Sequence, residues 1–163
     1  MKRFLGLAIA ATLVACPAMA RFVQVGETPS GEKLYFDTGS LQIDNEHGYL
    51  GFRYRIEDKS GVRVRQGSTH MSQCGSFYTG NVREGKFKGT SWNVLIDGES
   101  KEIKIESTAS QALMNKVCDE LAYEYIEGTC DLLHEIGIVN IQRNEANYTE
   151  ERDLDMDGVA CEN

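Results

Sequence analysis

With 163 residues, 41% of them apolar, the chain can bury one domain of about 100 residues and a small appendage, which excludes a disordered tract. Its formal charge of −8 is uneven, because 21–118 holds 13 Lys/Arg against 12 Asp/Glu while 119–163 holds 2 against 13. An acidic half repels phosphates, so nucleic acid is disfavoured as a partner and cations are favoured.

The first 20 residues read as a secretory signal peptide. Lys2 and Arg3 precede an apolar run from Phe4 to Val14, and Ala18-Met19-Ala20 is an ordinary cleavage site. Leu13-Val14-Ala15-Cys16 also has the form of a lipobox, which would leave Cys16 as a lipid anchor. Cleavage after Ala20 is preferred, since a strand pattern starts at Arg21 and leaves little tether after Cys16. No later stretch is apolar enough for a transmembrane span, which places the product in the periplasm, on the cell surface or outside the cell. Removing Cys16 leaves Cys74, Cys118, Cys130 and Cys161, an even set that predicts two disulfides in an oxidising compartment.

Beyond Arg21 the hydrophobic pattern has period two, and it predicts strands over 22–25, 33–37, 49–58, 62–72, 75–79 and 91–96. A three-residue loop of Lys59, Ser60 and Gly61 would set Asp58 opposite Val62 and Arg55 opposite Arg65. That register gathers Arg53, Arg55, Arg63 and Arg65 on one outer face, a candidate surface for an anionic partner or a plain solvated face. Near Ser107 the period changes. Thr108 with Gln111 reads as a capping box, and Ala109, Leu113, Val117 and Leu121 recur every fourth residue, predicting an amphipathic helix that ends near Gly128.

At the C-terminus, Asp153, Asp155 and Asp157 alternate and are followed at once by Gly158. Carboxylates at that spacing can curl around one hard cation, with the glycine allowing the sharp turn. Val159 would add its backbone carbonyl and Glu162 a closing carboxylate, in the manner of the first half of an EF-hand loop. Hard oxygens at this count select Ca2+; zinc would want histidine or thiolate. For catalysis the sequence offers little: His47, His70 and His134 are scattered, and no serine or cysteine sits in a nucleophile elbow, so a non-enzymatic protein is expected.

Two resemblances organise the chain. Phe22-Val23-Gln24-Val25-Gly26, Lys33-Leu34-Tyr35-Phe36-Asp37, Ser40-Leu41, Cys74, Tyr78, Trp92 and a helix bearing Cys118 together resemble the surface-adhesin protein E domain of Gram-negative envelopes. That resemblance implies an α+β fold over 21–127, a six-stranded antiparallel meander with one helix disulfide-tethered to its face, and adhesion to host-surface or matrix proteins. The segment 128–163 resembles the excalibur family of extracellular calcium modules, carried by Cys130, Gly137, Tyr148, Asp153, Asp155, Asp157, Gly158, Cys161 and Glu162 at matching spacings. It departs from that family at Glu145-Ala146-Asn147 and at Met156. The two resemblances together imply the pairs Cys74 with Cys118 and Cys130 with Cys161. They leave open a calcium-responsive adhesion protein, a structural envelope component, and a hydrolase accessory, since excalibur modules also end some secreted hydrolases.

Overall fold

The computed structural model describes residues 21–79 and 82–162; the expected signal peptide at 1–20 and the lipid-anchor reading of Cys16 lie outside them. β1 (Arg21–Glu27), β2 (Lys33–Thr38), β3 (Gln42–Asp44), β4 (Tyr49–Asp58), β5 (Gly61–His70), β8 (Ser91–Ile96) and β9 (Glu99–Lys104) make one antiparallel sheet. Its order is β1-β2-β4-β5-β8-β9, with β3 also pairing β4. Between β5 and β8 the chain leaves the sheet for a separate hairpin, β6 (Cys74–Thr79) with β7 (Val82–Phe87). The fold is therefore α+β as expected, but a seven-stranded sheet plus a two-stranded hairpin replaces the simple six-stranded meander.

The β4–β5 turn also departs from expectation. Asp58 pairs with Gly61 across a two-residue loop, because Asp58 Oδ1 accepts from the Ser60 N–H at 2.7 Å and from its hydroxyl at 2.5 Å, closing the turn one residue early. The whole register moves by one, and every β5 side chain changes face. Tyr54 now lies opposite Arg65 and Ile56 opposite Arg63, whereas Arg55 lies opposite Val64. The four arginines do not share a face. Arg53 pairs with buried Asp37 at 2.7 Å, and Arg55 stacks over Tyr35 at 4.0 Å and Phe22 at 5.1 Å on the outer side. Arg63 bonds Asp58 and Glu32 on the inner side, so no common anionic-partner row forms.

One helix covers the inner face. α1 (Thr108–Tyr123) buries Ala109, Leu113, Val117 and Leu121, the predicted stripe, against β1 and β2. Its cap is Ser107 with Ser110 rather than Thr108 with Gln111: each serine hydroxyl accepts from the other's N–H at 3.0 Å. Serines fit because the N-cap lies in extended backbone one residue earlier, and the helix ends at Tyr123, before Gly128. The opposite flank of α1 meets the hairpin. Cys74 and Cys118 form a disulfide, so the tether runs from α1 to the start of β6, not to the main sheet. Gly85 lets β7 lie directly on the helix; a Cβ there would come within 2.1 Å of the Asp119 nitrogen.

After α1, the chain adds a short helix α2 (Cys130–Glu135) and a two-stranded pair, β10 (Ile141–Gln142) with β11 (Val159–Ala160). Ile126, Leu133, Ile136, Ile138 and Ile141 are buried in the same apolar cluster as Leu113 and Leu121. The C-terminal segment is thereby packed onto the helix. Arg83 of β7, only 3% exposed, ties it further: its guanidinium donates to both Glu145 oxygens at 2.9 and 3.2 Å and to the Val139 carbonyl at 3.0 Å.

Candidate metal centre

The acidic loop is held from both sides. Cys130 and Cys161 form a disulfide, which joins the first residue of α2 to the residue after β11. Closing 31 residues this way stabilises by ~4 kcal/mol in the chain-entropy account. The Cys161 carbonyl meets the Asn140 N–H at 3.1 Å and His134 Nε2 at 3.0 Å, while its own N–H donates to the Arg152 carbonyl. On the other side, the buried Arg152 guanidinium donates to three carbonyls: Asn147 and Ile126 at 2.8 Å, and Gly128 at 2.7 Å. Its side chain also lies 5.4 Å from the Tyr125 ring centre. The residue that precedes the first aspartate is thus pinned to the chain leaving α1.

Asp153 is 2% exposed, although acids on a loop are ordinarily solvated. One oxygen explains part of this. Asp153 Oδ2 accepts from the Tyr148 hydroxyl at 2.6 Å and from the Gly158 N–H at 3.0 Å. Tyr148 itself accepts from Arg143 Nε at 3.2 Å. The Tyr148 hydrogen bond, opposed by burial and helped by backbone N–H groups of the loop, holds the Asp153 carboxyl below its ordinary value. The second oxygen is different: Asp153 Oδ1 is buried and has no hydrogen-bond partner. A buried carboxylate oxygen without a partner is costly and calls for a cation or a donor.

The other two aspartates supply what surrounds it. Asp153, Asp155 and Asp157 each present an oxygen within 4.8 Å of the others, with Asp155 and Asp157 exposed. Asp157 Oδ1 also accepts from the Val159 N–H at 2.8 Å, which curls the chain back on itself. The turn needs left-handed backbone twice, at Met156 (φ 62°) and Gly158 (φ 98°), and glycine meets the second without strain. Val159 begins β11 opposite Gln142. Glu162 lies outside the close group of three, yet the charges of Asp157 and then Asp155 push its carboxyl above the ordinary glutamate value. The acidic cluster can hold a metal ion.

The structure therefore brings together the three predicted aspartates, seats Val159 beside them and leaves Glu162 at the margin. Tyr148 and Arg152 have roles that the sequence reading did not assign. A signal existed: Arg143 and Arg152 are the only Lys or Arg among residues 119–163, and both serve this loop, one through Tyr148 and one through the carbonyls.

Comparison with protein-family models, with curated proteins and with solved structures finds no match for this chain. Among the described residues no helix is long and apolar enough to cross a membrane. Two disulfides are the mark of an oxidising, exported environment.

Proposed function

We propose that this chain is an exported calcium-binding protein of the bacterial cell envelope that acts by binding or adhesion rather than by catalysis. Asp153, Asp155 and Asp157 supply side-chain oxygens to one Ca2+, the Val159 carbonyl adds a fourth, and Glu162 swings in to close the site. The observation that carries this reading is the split role of Asp153: one oxygen is fixed by Tyr148 and Gly158, and the other is buried without a partner among acidic neighbours. Calcium is favoured over zinc because the donors are hard oxygens, and the two nearby cysteines are spent on a disulfide. The resemblance of 128–163 to excalibur modules supports the same ion. The resemblance of 21–127 to the surface-adhesin protein E domain supports a host-surface, matrix or envelope partner, with the protein in the periplasm or on the outer surface.

A second reading has its own observation. Arg83 ties Glu145 and Val139 of the C-terminal segment to the hairpin, and Arg152 ties the start of the loop to the chain leaving α1, so the ion would act chiefly on stability, as in a structural envelope component. Thermal unfolding in calcium and in chelator, followed by capture on immobilised matrix protein under both conditions, separates the two. With a dissociation constant of ~0.1–1 mM, as in extracellular calcium modules, 10 mM calcium should stabilise by ~1.4–2.7 kcal/mol and raise the midpoint by about 3–10 °C. Saturable capture that weakens in chelator supports adhesion. Stabilisation without saturable capture supports the structural role, and an unchanged midpoint removes calcium from both.

A further inference from the structure

Leu154 and Met156 are 90% and 81% exposed, more than any other large apolar side chain among the described residues. Apolar residues scattered singly over a surface need no account, but these two are not scattered. They alternate with Asp153, Asp155 and Asp157, whose carboxylates converge to within 4.8 Å of one another while both intervening side chains project into solvent. Tyr125, 53% exposed, lines the same cleft as Leu154 and lies against Arg152. The loop that gathers the carboxylates thus displays apolar side chains.

Area limits what can cover them. Two side chains and half a tyrosine ring fall far short of the ~800 Å² per partner in a stable protein interface. Attachment to a lipid interface scales instead with whatever apolar area dips ~5–10 Å into the headgroup boundary, and tyrosine favours that level. Charge then selects the lipid. Residues 119–163 hold 2 Lys/Arg against 13 Asp/Glu, a net −11, and Glu150, Glu151 and Glu162 are exposed around the loop, so an anionic surface is repelled. A zwitterionic headgroup offers an ammonium to these acids and a phosphate oxygen to a cation. Without a cation, dipping Leu154 and Met156 would drag three carboxylates towards an apolar medium, which is costly. One Ca2+ cancels two of those three charges and holds the carboxylates together behind the apolar pair.

Resting on the calcium reading above, we propose that the acidic loop is a calcium-dependent contact with a zwitterionic phospholipid surface. Leu154 and Met156 enter the headgroup boundary with Tyr125 beside them. Calcium takes six to eight oxygens, and the protein offers five, so a lipid phosphate oxygen takes a position that the protein leaves open.

The test uses the full oxidised protein and vesicles of phosphatidylcholine. Two apolar side chains hold less tightly than a myristoyl chain, whose association constant is about 10⁴ M⁻¹, so sedimentation is read at ~1–10 mM lipid. The expected result is saturable co-sedimentation in calcium that is lost in chelator and is not strengthened when phosphatidylglycerol replaces part of the phosphatidylcholine. Leu154→Ser with Met156→Ser should weaken partition about tenfold or more, the effect of withdrawing two apolar side chains. Both positions are exposed, so the double variant should keep the wild-type unfolding midpoint and calorimetric calcium titration. That titration keeps the two readings apart. Calcium binding without sedimentation overturns the lipid contact alone and assigns the apolar pair to a protein partner, whereas absence of calcium binding overturns both. Sedimentation unchanged in chelator, confined to vesicles with phosphatidylglycerol, or untouched by the double substitution would each overturn the lipid contact as well.

Discussion

Arg152 gives the sharpest prediction about how the loop is built. Replacing it with methionine keeps most of the aliphatic length but removes the guanidinium from the carbonyls of Ile126, Gly128 and Asn147. Each buried carbonyl left without a donor costs ~1–3 kcal/mol, and the Gly128 contact, only partly buried, belongs at the low end. The sum is ~3–5 kcal/mol, or a fall of ~10–15 °C in the unfolding midpoint for a chain of this size. Arg152→Lys should recover only part of the loss, since a compact ammonium cannot span three carbonyls as a fork does. The effect should also reach the ion. With the residue before Asp153 released, only a fraction of molecules hold the loop ready, and the apparent calcium affinity falls in proportion to that fraction. Thermal unfolding of both variants, with and without calcium, measures all of this. A loss below ~1 kcal/mol for Arg152→Met would refute the anchoring role, because buried carbonyls cannot be abandoned that cheaply.

Two further predictions concern charge and close packing. Glu162 has a folded pKa raised by Asp157 and Asp155, so folding favours its protonated form: the stability it contributes is present below the ordinary glutamate range and is lost as pH rises through the raised value. In chelator at neutral pH, Glu162→Gln should therefore unfold at a higher temperature than the wild type, with the difference vanishing on acidification, whereas the gain from added calcium should shrink; a lower midpoint in chelator would contradict the assigned repulsion. Gly85→Ala would force its Cβ to within 2.1 Å of α1 backbone, so urea unfolding should show a loss of ~3 kcal/mol or more, and a loss under ~1 kcal/mol would mean that β7 does not lie on the helix as described.

What the sequence disclosed depended on how local the physics was. The stripe Ala109, Leu113, Val117, Leu121 and the alternation Asp153, Asp155, Asp157 are set by spacing alone, and both stand where the pattern put them. The β4–β5 register did not follow from pattern, because the Asp58 side chain decides whether the turn closes on Gly61 or Val62, and either choice satisfies period two. β7 and β9 escaped notice for a related reason: Val82–Phe87 and Glu99–Lys104 are rich in charge, as suits a short hairpin and a sheet edge, and show little apolar alternation. The roles of Arg83 and Arg152 were hidden because their partners are Glu145 and backbone carbonyls distant along the chain. Around the loop, the ligands were legible and their supports were not.

The central claim rests on the unpartnered oxygen of Asp153, and calorimetric titration of calcium into the wild type and into Asp153→Asn tests it most directly. Asparagine keeps an oxygen for Tyr148 and Gly158 but turns an amide N–H2 towards the place of the ion. The account predicts one saturable site of ~0.1–1 mM in the wild type and none in the variant. Equal heats in the two proteins would contradict it, reducing the loop to a solvated acidic turn.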